Sequence, residues 1–158
     1  MRRHMLGKRR RPVFAVLGAG HGGMAMAGHL AIMGHEVRLY NRSPERIEPI
    51  RRSKRIEVIA RNGEEIPRGV GQLAAVTADM QEAVTGADVI MVVVPATGHA
   101  WLAEEMAPHV RDGQMVVLHP GRTGGALEVH HSLRARGVTA DVVVAEAQTL
   151  LYACRAVS

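Results

Sequence analysis

Residues 18–23, Gly-Ala-Gly-His-Gly-Gly, have the G-x-G-x-x-G spacing that lets a backbone turn close on a phosphate. Each glycine has its own task. Gly18 permits the tight turn, Gly20 lets a pyrophosphate come up to the main chain, and Gly23 lets the following helix lie close to the preceding strand. The turn stands between an apolar run, Val13-Phe14-Ala15-Val16-Leu17, and a helix-like stretch ending at Gly34. That strand–turn–helix context gives the pattern its meaning. Free amides and the positive end of the helix dipole then face the phosphates. We expect a dinucleotide held by Gly18, Ala19, Gly20, His21, Gly22 and Gly23, with His21 orienting it or meeting a water rather than moving a proton. The plain alternative for the same residues is a glycine turn that only packs helix on strand.

The end of the next strand decides which dinucleotide. An NAD site usually places Asp or Glu there, about 20 residues beyond the glycines, for the ribose 2′-hydroxyl. Here residues 36–40 run out into Asn41-Arg42-Ser43. A carboxylate repels a 2′-phosphate, whereas a guanidinium and a hydroxyl attract one. Arg42 is expected to pair with that phosphate and stack on adenine, Ser43 to donate a hydrogen bond, and Arg46 to stand one turn further on. Ser43 is also expected to cap the helix that begins at Pro44. The expected coenzyme is NADP(H) in preference to NAD(H), with NAD(H) still admissible.

Two further loops carry candidate site residues: Val94-Pro95-Ala96 on the coenzyme side, and His119, Arg122 and Thr123 on the substrate or nicotinamide side. A helix starting near Thr123 offers a second set of free amides, which with Arg122 and the Thr123 hydroxyl would hold a carboxylate or polarise the nicotinamide side. An N-cap beside close-packing glycines explains the same residues equally well. His119 is read as a hydrogen-bonding or structural residue, not as a general acid. Glu146 and Gln148 either face the same crevice or join another domain. No metal site is expected. Adjacent His130 and His131 would leave a helix in different directions, and Cys154, the only cysteine, is read as a buried small residue.

To converge, these loops need a common scaffold. Strands are expected over 13–17, 36–40, 74–77, 89–94, 114–119 and 142–145. Helices are expected over 22–33, 44–52, 79–85 with Asp79 as cap, around Trp101, Leu102, Met106 and Val110, and from 123 to 136. A hairpin of 56–60 with 63–66 should turn at Asn62-Gly63. The alternation implies an α/β fold, a Rossmann-type doubly wound parallel sheet in a single domain. Ligands then lie beyond the carboxyl ends of its strands.

Composition narrows the function classes. Of 158 residues 47% are apolar but only 3% aromatic, so Val, Ile, Leu, Met and Ala must build the core. The net charge of +5 comes from Arg2, Arg3, Lys8, Arg9, Arg10 and Arg11; without them fourteen bases face fifteen acids. A short basic tail over 1–11, expected to be disordered, therefore precedes a nearly neutral domain over 12–158. Nucleic acid is not an expected partner. No apolar run approaches the ~18 residues of a membrane span, and the N-terminus lacks a secretory pattern. One cysteine rules out a disulfide framework. A cytoplasmic setting is expected, with no membrane partner.

With its four loops assembled, the sequence resembles the N-terminal domain of the opine dehydrogenases, the octopine and nopaline group, over residues 12–156. The resemblance rests on Gly18 to Gly23, Val92-Val93-Val94-Pro95-Ala96, Pro120-Gly121-Arg122-Thr123-Gly124-Gly125-Ala126-Leu127-Glu128, and Ala145-Glu146-Ala147-Gln148-Thr149-Leu150-Leu151-Tyr152-Ala153-Cys154-Arg155. His119 stands where family members often carry asparagine. The resemblance implies an NAD(P)-dependent oxidoreductase acting on CH–NH groups. An amino acid and a 2-oxo acid, the small-molecule partners, form an imine that takes hydride from NAD(P)H, while the protein positions the reactants and supplies charge.

The resemblance also implies a helical second domain bringing the catalytic histidine and its acidic partner. No catalytic residue is therefore assigned here, that C-terminal domain is expected to be absent from this chain, and the chain alone is expected to be inactive. Residues 149–153 would then form a bare apolar patch favouring a homodimer, unless a separate C-terminal domain covers it. The alternatives are a non-catalytic dinucleotide-binding module or relic, and a ketopantoate reductase-like hydroxy-acid dehydrogenase. The segment Thr123 to Glu128 argues against the last.

Overall fold

The computed structural model describes residues 10–60 and 65–157. Six strands form one parallel sheet: β1 (Val13–Leu17), β2 (Glu36–Tyr40), β5 (Ala75–Thr77), β6 (Val89–Val92), β7 (Met115–Leu118) and β8 (Val143–Glu146). Their order is β5-β2-β1-β6-β7-β8. The strand order reverses at β1, which lies between β2 and β6, and sheets of this kind bind ligands beyond the carboxyl ends of the strands at such a point. This is the doubly wound Rossmann-type sheet that the alternating pattern predicts.

Helices cover the sheet because its strands are apolar on both sides. Ala15, Val16 and Leu17 are all fully buried, which explains the unbroken apolar run of β1. Successive side chains point to opposite faces. Leu17, Ile90, Val92 and Leu118 meet α3 (Met80–Val84), α4 (His99–Met106) and α5 (Gly125–Ala135) on one side. Val16, Val37 and Leu39 meet α1 (His21–Ile32) and Ile47 of α2 (Pro44–Arg51) on the other. In α1, Met26 is fully buried. Asp79 caps α3 as expected, its carboxylate accepting the Gln81 and Glu82 amides. Among the described residues, no helix is long and apolar enough to cross a membrane.

Two expectations need correction. A hairpin forms, but the partner of β3 (Arg55–Val58) is β4 (Gly69–Gln72), later in the chain than the predicted second strand. Its predicted turn, Asn62-Gly63, lies outside the described residues. The shift follows from packing: a Cβ on Gly71 would contact the Gly28 carbonyl oxygen of α1, and a Cβ on Gly28 would come within 2.9 Å of Ile56 Cγ2. A strand lying that close to a helix carries glycine in place of an alternating apolar residue.

The basic tail is the second case. Residues 1–9 of it lie outside the described residues, but Arg10 and Arg11 are held in the fold. Arg10 pairs with Asp88 at 2.7 Å, and Arg11 donates to the Met33 carbonyl at 2.7 Å. Asp88 also accepts the Val13 amide at 2.6 Å. That backbone bond, followed by Arg10, holds the Asp88 carboxyl below the usual carboxylate range although partial burial works against it.

The Gly71–Gly28 contact yields a stability prediction. Gly71→Val should destabilise the protein by about 1–3 kcal/mol through overpacking, with a drop in Tm of roughly 2–4 °C for each kcal/mol. A thermal melt with an unchanged midpoint would show that α1 and the hairpin are not packed this closely.

Candidate functional site

The glycine turn joins β1 to α1 at the switch point. Gly18 has φ of +115°, and its amide donates to the Tyr40 carbonyl at 2.9 Å. A Cβ there would contact the Val93 carbonyl oxygen and lie 2.9 Å from Val94 Cγ1, so the turn is wedged against the end of β6. A Cβ on Gly23 would overlap the Gly18 carbonyl oxygen. Gly20 differs, since nothing lies within 4 Å of the place its Cβ would take. It is also the N-cap of α1, and no side chain caps that helix. The amides of the first turn of a helix have no intrahelical acceptor, so those of His21, Gly22 and Gly23 remain available to an anion. Ala19 is different: its amide is committed to Asn41 Oδ1 at 3.1 Å.

Asn41 is thus a clamp between β2 and the glycine turn, for its Nδ2 also donates to the Ser43 carbonyl at 3.1 Å. The sequence marks Asn41 as a missing acid, and only the fold shows what the amide does. Ser43 sits at the N-cap of α2 but its hydroxyl makes no cap hydrogen bond, contrary to expectation. Its carbonyl instead takes the Arg46 amide and the Asn41 side chain. Arg42 is exposed, and its guanidinium lies over the Trp101 ring of α4, 5.4 Å from the centroid. Nothing in the spacing of residues 42 and 101 announces that pairing. At the end of β2, Tyr40 is buried, and burial first, then Glu105, pushes its hydroxyl pKa up.

Beyond β6 the chain passes through exposed Pro95 and Ala96 into a short 3-10 turn, Ala96–Gly98. His99 then opens α4, fully buried, with Nδ1 4.0 Å from the Glu128 carboxylate of α5. At the end of β7, His119 is also buried. Neither ring nitrogen of His99 or of His119 meets a hydrogen-bond partner among the described residues, which leaves His119 the structural half of its expected role, hydrogen-bonding or structural. Burial pushes both imidazoles below their usual pKa, in His99 against the pull of Glu128 and Glu146.

The second expected anion site is rearranged. Arg122 and Thr123 are exposed in the turn after β7, where Arg122 has φ of +53° and Gly124 of +86°. These left-handed residues delay the helix, so α5 starts at Gly125, two residues later than predicted, and Thr123 is not its cap. The Ala126 amide is already taken by Glu146 Oε2 at 2.7 Å. Glu146 also packs on Gly121, where a Cβ would contact its side chain.

After β8 the chain returns across the start of α1. Leu150 packs against Gly22, and Tyr152 shares a 3.0 Å hydrogen bond with His29 Nδ1. The Ala156 amide donates to His21 Nδ1 at 3.0 Å, and Cys154 Sγ donates to the His21 carbonyl at 3.4 Å. Cys154 is exposed, not buried, because it lies on this outer segment. Of the predicted bare patch, Leu151 is 68% exposed, whereas Leu150 and Tyr152 turn inward onto the α1 side of the core.

Comparison with known proteins places this geometry. Residues 13–145 match the family described as NAD-dependent glycerol-3-phosphate dehydrogenase N-terminus. The chain belongs to that family. The chain is 39% identical over 142 residues to an opine dehydrogenase of Arthrobacter sp. (strain 1C), covering 90% of this chain and 38% of that protein. A glycerol-3-phosphate dehydrogenase [NAD(P)+] of Thioalkalivibrio sulfidiphilus is 32% identical over 147 residues, covering 93% and 40%. An octopine dehydrogenase structure with NADH and L-arginine superposes with a TM-score of 0.81 at 27% identity, over 93% of this chain and 37% of the other. The chain spans about two-fifths of the length of these relatives. It is an N-terminal NAD-binding domain of the opine dehydrogenase family, and its relatives are NAD(P)-dependent dehydrogenases.

The residues of this opine dehydrogenase-family domain fit a dinucleotide. Gly20 leaves open the space that a Cβ would fill, and the uncapped amides of α1 border it. The two buried histidines of the domain also have a measurable consequence. Both are neutral in the fold at a pH where an exposed imidazole is charged, so the unfolded chain binds more protons below about pH 6.5. Stability should therefore fall as pH drops through about 6.5 and level off below the depressed folded values. Urea midpoints between pH 8 and pH 5.5 check this, and His119→Asn should flatten the profile. A profile unchanged by that substitution would show that His119 is not a source of the proton linkage.

Proposed function

We propose that the chain is the coenzyme-binding part of an opine dehydrogenase-like oxidoreductase that prefers NADP(H) to NAD(H), folded as a single domain. The observation that carries the coenzyme preference is the end of β2, where Arg42 stands exposed beside the glycine turn and no acid occupies position 41. The uncapped amides at the start of α1 hold the pyrophosphate over Gly20, with His21 at its flank. Arg42 and the Ser43 hydroxyl take the ribose 2′-phosphate by charge-assisted hydrogen bonds. Val94, Pro95 and Ala96 form the opposing wall. The bound coenzyme supplies the hydride.

His119, Arg122 and Thr123 belong to the nicotinamide and substrate end. Arg122 and the Thr123 hydroxyl offer an exposed cation and donor to a substrate carboxylate, while buried His119 contributes an uncharged edge. The proposed substrates are an amino acid and a 2-oxo acid, joined as an imine before reduction. The likeness to the Arthrobacter opine dehydrogenase supports this reading, as do octopine dehydrogenase structures described with NADH and either L-arginine or pyruvate.

Calorimetry on Arg42→Asp tests the coenzyme preference. A lost charge-assisted hydrogen bond corresponds to roughly 10- to 100-fold in affinity, so NADPH binding should weaken by at least about 10-fold. NADH binding should change far less. Equal losses for both would overturn the 2′-phosphate assignment, and folded wild-type protein that binds neither nucleotide would overturn the whole reading. For the substrate class, NADPH oxidation by the protein carrying this domain should require both pyruvate and an amino acid. Oxidation with a 2-oxo acid alone would favour a hydroxy-acid dehydrogenase.

A further inference from the structure

Arg42 makes neither a hydrogen bond nor an ion pair among the described residues; what holds it is the face of Trp101. Trp101 is the only tryptophan of the chain, in the first turn of α4, partly buried and packed against the core that α4 shares with β1, β6 and β7. One side of the indole is therefore fixed, and the guanidinium rests over the ring. We propose that Trp101 is a positioning residue for coenzyme selection: its indole holds the Arg42 guanidinium ready at the end of β2, so that a ribose 2′-phosphate meets an arginine already oriented. This rests on the NADP(H) reading above and adds a residue to it.

Three physical arguments support the inference. A guanidinium stacked on an aromatic face keeps its N–H donors along its edge, where a phosphate can accept them. An arginine free in solvent must give up its rotamer freedom on binding, and one held beforehand gives up less. The same corner also contains acids. Glu105 stands one turn beyond Trp101 on α4, and both Glu105 and Asp79 act electrostatically on Tyr40. A guanidinium released from the indole is drawn toward these carboxylates and away from a phosphate, whereas an uncharged ring holds it without competing for its donors.

Calorimetry with NADPH and NADH on Trp101→Leu, Trp101→Phe, Arg42→Ala and the double variant Trp101→Leu/Arg42→Ala tests this. A cation–π contact of ordinary strength predicts that Trp101→Leu weakens NADPH binding by about 3- to 10-fold, and NADH binding by less than about 2-fold. Trp101→Phe should recover part of the loss. In the Arg42→Ala background Trp101→Leu should change nothing further. Equal losses for the two coenzymes, or additive losses in the double variant, overturn the role of Trp101. If Arg42→Ala discriminates between the coenzymes and Trp101→Leu does not, the 2′-phosphate reading stands and only this inference fails. If Arg42→Ala does not discriminate, both fall.

The wild-type protein provides a check independent of how the variants fold. Adenosine 2′,5′-bisphosphate should change Trp101 fluorescence more than 5′-AMP does at equal saturation, because only the first draws on the guanidinium above the ring. Equal responses overturn the proposal.

Discussion

A Cβ on residue 23 would overlap the carbonyl oxygen of Gly18, and the carboxyl edge of the sheet is organised around that missing atom. Because α1 starts so close to the end of β1, its first amides border the open space in front of Gly20, with Leu150 packed on Gly22 at their flank. The turn is closed from both flanks. Gly18 donates to Tyr40 on β2, and a Cβ on Gly18 would strike the Val93 carbonyl after β6. Val93 in turn donates its amide to the Leu17 carbonyl at 2.8 Å. Three strand ends are thus bound into one rim through backbone atoms alone. A side chain on either glycine would push α1 outward and separate the amides from the space in front of Gly20.

Around that rim the polar groups are arranged so that charge stays out of the interior. Asn41 ties the glycine turn to the start of α2 with a neutral amide. His99 and His119 are buried, and burial favours their uncharged forms. The carboxylate of Glu146 lies at the surface and accepts the Ala126 amide at the start of α5. The two helix starts facing the crevice therefore differ. At α1 no side chain caps the helix, while at α5 the protein's own acid occupies the equivalent position. An incoming anion meets open donors at the first and a resident carboxylate at the second.

Much of the fold was legible because its signals are local. The apolar run of β1, the glycine spacing and the β-branched run at 89–94 each carry their own periodicity, and the parallel sheet follows from their alternation. Where the signal depended on a distant partner, the sequence was silent. The β4 strand could not be located from alternation, because Gly71 is set by the backbone of α1 rather than by a water–core boundary. The late start of α5 depends on left-handed Arg122 and Gly124, which a cap pattern centred on Thr123 does not reveal. Asn41 stands out in the sequence only as an absent acid, since its acceptor role requires Ala19, brought near by the turn. Trp101 of α4 meets Arg42 only in the folded chain, across elements that the sequence keeps far apart.

The Asn41 clamp has an evolutionary corollary. Codons for asparagine and aspartate differ by one base, so a ribose-binding acid is a single step away at this position. Aspartate would still accept from Ala19, but its second oxygen would confront the Ser43 carbonyl, setting two lone pairs against each other where a donor now bridges them. An acid at residue 41 therefore fits only where the loop behind it turns the Ser43 carbonyl aside.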